Sequence, residues 1–381
     1  MKFFYVIFSL ILQNVIANQT QDLTFSQTYE SLEMNDITPK AIPVVRCGYD
    51  ITIEASYLLW QPFEKGLAIA QGSVPLPGSS SASNILLPKG NKTRPDFKLS
   101  SGFKVGAGFD FDYEGWSTDF IYTWFQSNAS AAFYPSLNAG NLTLWEGNFN
   151  VISYGQYDNL ALFPNISNQG NSNWKLHFNV VDWLIHRNFF LNKTLVFDLF
   201  FGFKGSYLTQ NYFIHYIQKG ISSTLILPPA TEIIIGIAQE DYRIYNKIKY
   251  GGVGPKIGFN GVFQLSKSFG LIFDLALSSL YGKFNVQRED FSDVIDVTGK
   301  KSGITNYNAL NLIDTFWQLN PVLENSLGFK WDLWSCNERY RCQISAAWET
   351  QVWFDQNQFL QPGLYGNLTL QGLNFSVIMN F

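Results

Sequence analysis

The sequence predicts an all-β fold: a transmembrane antiparallel β-barrel of about ten strands (range eight to fourteen), with long extracellular loops and short periplasmic turns. Three observations predict it. The N-terminus has the layout of an export signal. Long stretches alternate strictly between apolar and polar residues. Charge falls on only one of the two alternating faces.

Composition removes the competing classes. The chain has 381 residues, with 26 Lys plus Arg against 30 Asp plus Glu, a net charge of −4. No basic excess supports nucleic-acid binding. Charged residues are 15%, below the roughly 25% of soluble domains. Aromatic residues reach 17%, which excludes a disordered chain. Three cysteines cannot staple a chain of this length. A mean hydropathy of −0.02 excludes a bundle of membrane helices.

Met1-Lys2 starts positive, Phe3–Leu12 is continuously apolar, and Val15-Ile16-Ala17 ends on a small residue. Residues 1–17 therefore form a signal peptide, cut after Ala17. The apolar run is too short to cross a bilayer as a helix, which needs about 20 residues. Residues 18–47 are polar, contain Pro39 and Pro43, and lack alternation, as expected of a periplasmic lead-in. The barrel is assigned to residues 48–381.

Its strands are expected near 49–60, 98–113, 116–126, 173–185, 194–208, 250–265, 269–283, 319–334, 342–355 and 367–381. In the first, Ile51, Ile53, Ala55, Tyr57 and Leu59 oppose Thr52, Glu54 and Ser56. In the second, Phe103, Val105, Phe109 and Phe111 oppose Lys104, Gly106 and Asp110. Glu114-Gly115 makes a tight turn into Trp116, Thr118, Phe120, Tyr122 and Trp124. Trp174, Leu176, Phe178 and Val180 oppose Lys175, His177 and Asn179, so these four apolar residues are assigned to the lipid face. Leu195 to Tyr207 at odd positions, Val253 to Leu265, and Phe269 to Tyr281 follow the same rule. So do Leu323 to Leu333, Ile344 to Phe354, and Leu373 to Phe381.

Charge distinguishes the faces. An Arg or Lys on the lipid face at mid-bilayer costs roughly 2–4 kcal/mol, whereas a lumen position carries no such cost. The polar parity holds Glu54, Lys98, Lys104, Asp110, Asp112, Asp119, Lys175, Asp198, Lys204, Lys256, Asp274, Glu324, Lys330, Asp332 and Glu349. These are the candidate pore-lining residues. Nine acids against six lysines give a slight lean toward cations. A soluble sandwich also alternates, but strands as long as 98–113 exceed its needs.

Connections alternate in length. Those after the second, fourth, sixth and eighth strands are short, and the rest are long, so both chain ends lie in the periplasm. The long stretches 127–172 and 209–249 have room for another hairpin, with 141–154 the best place for one. The chain ends on Phe381 in an alternating strand, a form that resembles the signal read by the outer-membrane insertion machinery.

Five segments carry a family resemblance: Asp50–Gly66, Trp174–Tyr207, Gly251–Phe284, Pro321–Phe359 and Leu368–Phe381. In order and spacing they resemble the major-outer-membrane-protein-like family of Legionella and chlamydiae. At Trp183-Leu184-Ile185-His186 the chain departs from the Leu-Glu-Leu-Gly type run of that family. The resemblance implies a bacterial outer-membrane barrel with a pore function and transfers no catalytic residues. It also implies that Cys47 cross-links to another envelope protein or a second copy; a free thiol fits equally well.

Other chemistry is sparse. Cys336 and Cys342 flank a short turn, and a disulfide and two free thiols are both compatible with it. His177, His186 and His215 have no metal-ligand spacing. Gly251-Gly252-Val253-Gly254-Pro255 opens a strand rather than a helix, so it lacks a phosphate-binding helix end. No cofactor, metal or catalytic constellation is expected, and the chain is expected not to be an enzyme. The expected partner is outer-membrane lipid. The expected function is passive diffusion of small solutes or ions. The alternative is a non-conducting surface barrel whose loops serve adhesion or envelope structure.

Overall fold

A computed structural model describes residues 51–75, 86–111, 115–134, 141–143, 166–167, 169–190, 194–227, 231–266, 268–296, 307–335, 340–360 and 366–381. The expected signal peptide and lead-in, Cys47, Asp112 and Cys336 lie outside them, as does most of the 141–154 segment.

Ten strands form the wall: β1 (Ile51–Glu64), β2 (Ser100–Asp110), β3 (Trp116–Phe133), β4 (Gln169–Phe190), β5 (Leu195–Leu227), β6 (Thr231–Gln264), β7 (Phe269–Asp296), β8 (Tyr307–Ser335), β9 (Tyr340–Asn357) and β10 (Gly366–Asn380). Each pairs antiparallel with the next, and β10 pairs with β1 in the register Tyr57↔Phe375, so the sheet closes. Closure satisfies every edge, a condition for a sheet in lipid. The Phe381 amide extends the seam by donating to the Ile51 carbonyl at 3.0 Å.

Short connections follow β2, β4, β6 and β8, and both ends of the barrel chain lie on that side, the turn end. Gly115, at φ +71°, takes the left-handed position that makes the β2–β3 turn possible. At the opposite, loop end, Ala70–Pro75 pairs with Leu86–Thr93 and Asn141–Thr143 in a small separate sheet. Asn141–Thr143 is thus a strand, but it belongs to that sheet and not to the wall.

Exposure fixes the orientation of the faces. Phe103, Phe201 and Trp331 are 41%, 51% and 53% exposed, whereas Lys204 and Lys330 are 1% and 6% exposed. The aromatic parity points out and the charged parity points in.

The strands run further than the alternation predicts. Of the stretch 209–249, expected as a loop, residues 209–227 continue β5 and 231–249 continue β6, paired through Leu227↔Thr231. The physical reason is a change of phase. From Leu195 to Tyr207 the outward residues of β5 are apolar, and the inward ones include Asp198, Lys204 and Ser206 beside Val196 and Phe200. Beyond Tyr207 the outward residues become Thr209 and Asn211, while inward Tyr212, Ile214 and Tyr216 are buried. At about 3.3 Å per residue and a tilt of about 40°, Leu195–Tyr207 spans the roughly 30 Å hydrocarbon layer. Above it, water is outside and the wall encloses a dry core.

The same switch corrects β4. Val181 and Trp183 point out at the membrane level, so the parity of Trp174, Leu176, Phe178 and Val180 points inward, opposite to the expectation. Their apolar character reflects the interior core at the loop end, not lipid.

Candidate functional site: a lumen in two halves

At the turn half, acidic and basic side chains point inward and pair across the lumen, beside a small apolar cluster of Leu184, Phe200 and Ala276. Lys204 of β5 meets Asp182 of β4 at 3.0 Å and Glu324 of β8 at 2.9 Å. Lys256 of β6 reaches the same two carboxylates at 3.4 and 2.9 Å. Lys104 of β2 donates to Glu349 of β9 at 2.6 Å. None of these partners sits on an adjacent strand except Asp182 and Lys204, so the pairs reach across rather than along the wall. Two alternating ammonium groups and two carboxylates compensate each other where water is scarce, which a lone charge there could not achieve.

His186 of β4 stands between Asp198, 2.8 Å away, and Asp119, 3.2 Å away, and Asn260 donates to Asp198 at 2.9 Å. The four-residue departure from the family pattern thus continues β4 and delivers a histidine to the lumen. Asp274 accepts a hydrogen bond from Ser326, and Glu54 accepts one from Ser56 at 2.9 Å. Nearest the turn end, Asp332 holds both Lys330 at 2.8 Å and Arg341 at 2.7 Å. Asp110 lies at the turn end of β2 in register with Ser117.

Two predicted lumen residues are elsewhere. Lys175 is exposed on the outer surface of β4, because the phase of that strand is the reverse of the expected one. Lys98 lies just before β2 at the loop end, exposed and 4.0 Å from Asp96. Cys342 is a free, half-buried thiol in β9. Cys336, its possible disulfide partner, lies outside the described residues; Cys342 follows the outward parity of Ile344 and Trp348.

At the loop half the lumen is filled with aromatic and aliphatic side chains. Trp60, Phe125, Phe178, Trp174 and Trp353 are fully buried in one cluster. Phe178 and Trp353 come from strands five places apart in a ten-strand ring, and their rings meet edge to face at 5.2 Å. A loop completes the seal. After Lys65, Gly66 at φ +97° turns the chain inward, and Leu67, Ala68, Ile69 and Ala70 are buried. The Tyr212 hydroxyl donates to the Leu67 carbonyl at 2.6 Å, and Tyr216 donates to the Ile69 carbonyl at 2.7 Å. From the β9–β10 side, Phe359 packs on Tyr212 at 5.8 Å. The Leu360 carbonyl accepts from Arg288, which is itself paired with Asp290 at 2.6 Å.

Asp182, His186, Arg288, Asp290, Arg341 and the aromatic seal escaped the sequence reading. A signal for two of them was present: Asp182 and His186 share the parity of Val180, so a lipid-facing assignment of that parity would have put both in lipid.

A closed ten-stranded wall with an apolar belt outside and charges inside is the geometry of an outer-membrane barrel. The family model described as Legionella pneumophila major outer membrane protein precursor matches residues 41–380. The chain belongs to this Legionella outer-membrane protein family. Family and fold place it in the outer membrane. Comparison with curated proteins returns no match. Among solved structures, it is similar to the outer membrane protease OmpT from Escherichia coli, with 10% identity and a TM-score of 0.37 over 88% of this chain and 98% of that one. It is also similar to the Pseudomonas putida toluene transporter TodX, with 9% identity and a TM-score of 0.26 over 91% and 93%. A Pseudomonas aeruginosa FadL homologue gives 8% identity and a TM-score of 0.22 over 87% and 89%.

Proposed function

We propose that this member of the Legionella outer-membrane protein family is a non-enzymatic pore-forming barrel that passes small ions or solutes and rests closed. One observation carries the reading: a single wall is filled in two different ways. The loop half demonstrates that this chain can pack a barrel interior with Trp, Phe and Tyr. Its turn half instead keeps Lys104, Lys204, Lys256, Asp182, Glu324 and Glu349 inside. Ion pairs of that kind are commonly no more stabilising than apolar side chains of the same volume. Their retention suits a path that must be wetted.

The seal suits a gate. Its innermost backbone, Leu67–Ala70, is a loop segment held by two tyrosine hydroxyls, not a strand of the wall. Withdrawing it, with a parting of the Phe178–Trp353 contact beneath, would leave the charged half open to the loop end. A ten-stranded wall is narrow, so the open pore would be small.

Planar-bilayer recording tests this. The expected result is brief, low-conductance openings in the native protein and longer openings in a Tyr212→Phe/Tyr216→Phe variant. A folded, heat-modifiable barrel that passes no current in either form would overturn it. That outcome would favour the second reading, a non-conducting surface barrel, for which the Phe178–Trp353 contact across the lumen speaks.

A further inference from the structure

The outer surface just above the apolar belt is not evenly polar. We propose that the outward face of β4 to β7 at this level is a binding site for the phosphate groups of outer-leaflet glycolipid. The register defines it. Lys247 lies opposite Asn211, which in turn lies opposite Lys175 on β4. Lys249 lies opposite Asn285, and Lys283, one diagonal step away, lies opposite Gly251. Four lysines on three strands, β4, β6 and β7, therefore occupy three successive cross-strand rows of a four-strand span whose strands are about 4.8 Å apart.

Three features make the patch specific. First, none of the four has an ion-pair partner among the described residues, in contrast to the paired lysines of the lumen. Second, the described outward residues of those three rows, from β3 to β8, include no acid; the first is Glu289, one row further from the membrane. This occurs in a chain whose net charge is −4, so the concentration of positive charge is against the overall balance. Third, the row beneath is the rim of the belt. Tyr281 of that row stacks at 5.3 Å on Trp317, which lies opposite Lys283 in the lowest lysine row, and both rings are exposed. Aromatic rings at that height sit at the headgroup boundary. Lysines beside and above these rings reach the phosphate layer with their stems on the rings and their ammonium groups in water. On the opposite side, Gln61, Phe63, Thr350 and Gln371 occupy the outward strand positions of β1, β9 and β10 beyond the belt; the lysines there, Lys65 after β1 and Lys98 before β2, are isolated, and Lys98 lies 4.0 Å from Asp96. The cluster of four therefore lies on one flank of the barrel and would orient bound lipid there.

A lipid phosphate, and not a free one, is the assigned ligand. Only a ligand anchored by acyl chains would rest on the apolar belt while its phosphates meet the lysines. Each lysine near a charged lipid surface contributes modestly, and the contributions screen with salt.

The test uses the full-length barrel in phosphatidylcholine nanodiscs with a small fraction of bisphosphorylated lipid A or its dephosphorylated form, and reads retained lipid by native mass spectrometry. The native protein is expected to retain the phosphorylated lipid about tenfold over the dephosphorylated one at low salt. A Lys247→Gln/Lys249→Gln/Lys283→Gln variant is expected to lose that preference. These side chains lie outside the packed interior, and the corresponding Lys→Arg variant, expected to keep the preference, guards against a folding defect. Equal retention of both lipids by the native protein, or an undiminished preference in the Gln variant, would overturn the proposal. So would displacement of lipid A by millimolar pyrophosphate, because the ligand would then be a free polyanion.

Discussion

Phe178 on β4 and Trp353 on β9 stand on opposite walls, and their rings touch at 5.2 Å. A ten-stranded barrel is narrow enough for two large aromatic side chains to bridge it. Below this contact the Lys204–Glu324 pair also spans the lumen, so an aromatic closure and an ionic one lie in series.

Truncation of the aromatic closure is expected to weaken the fold and open the path together. Trp353→Ala removes a fully buried ring, at a cost of about 3–5 kcal/mol. Urea titration of folding measures the cost, and bilayer recording should show larger or longer openings than in the native protein. Lost stability without any change in current would separate the seal from conduction.

Removing Glu324 should cost more than removing a surface charge. Lys204 and Lys256 share that carboxylate, and Glu324→Ala leaves both on Asp182 alone. Breaking a buried pair on one side costs about 3–5 kcal/mol. Lys98→Ala, at an exposed pair 4.0 Å apart, should change little by the same urea titration. Equal effects would contradict the interior placement of Glu324.

The seal is expected to loosen as pH rises. Glu64 ends β1 beyond the last belt residue, Leu59, and is buried beside the Gln210 amide and the Trp174 indole. Burial pushes its pKa from 4.5 up to about 8, with the Gln210 amide and Trp174 indole opposing the rise. Tyr212 is the titratable side chain that feels its charge. A carboxyl with a raised folded pKa binds more protons folded than unfolded between those two values. Stability therefore falls as pH climbs from about 4.5 to 8 and levels off above. Hydrogen exchange at Leu67–Ala70 should quicken over that window in the native protein, and Glu64→Gln should flatten the dependence. A flat native profile would exclude Glu64 as the sensor.

Position along a strand should decide the cost of an outward charge. Phe201→Arg sits within the belt and is expected to cost about 2–4 kcal/mol in folding into liposomes. Asn211→Arg has the same parity on β5 but lies above the belt, and it should cost about 0–1 kcal/mol.

The ten-strand closure was legible because lipid imposes alternation at the membrane level, as in Ile51–Leu59 and Leu195–Tyr207. The loop half was not, because alternation reports only that two faces differ, not which face is dry. In β4 the apolar run Trp174–Val180 and the belt residues Val181 and Trp183 are consecutive but of opposite phase. A strand that crosses from lipid to water switches phase at the boundary. Lys175 was misplaced for this reason, and Tyr212 and Tyr216 were hidden in an expected loop. Ion pairs such as Lys104–Glu349 depend on the closing of the ring and have no local sequence signal.

The switch of phase along β5 is tested most directly by single-cysteine spin labels at successive positions, with the native cysteines replaced, in reconstituted barrels. Labels at Leu199, Phe201 and Phe203 should collide with oxygen dissolved in lipid. Those at Thr209, Asn211 and Phe213 should collide with a water-soluble nickel reagent, and those at Tyr212 and Ile214 with neither. Lipid exposure continuing on the odd positions past Tyr207, or nickel reaching Tyr212 in the resting barrel, would contradict the two-halved lumen.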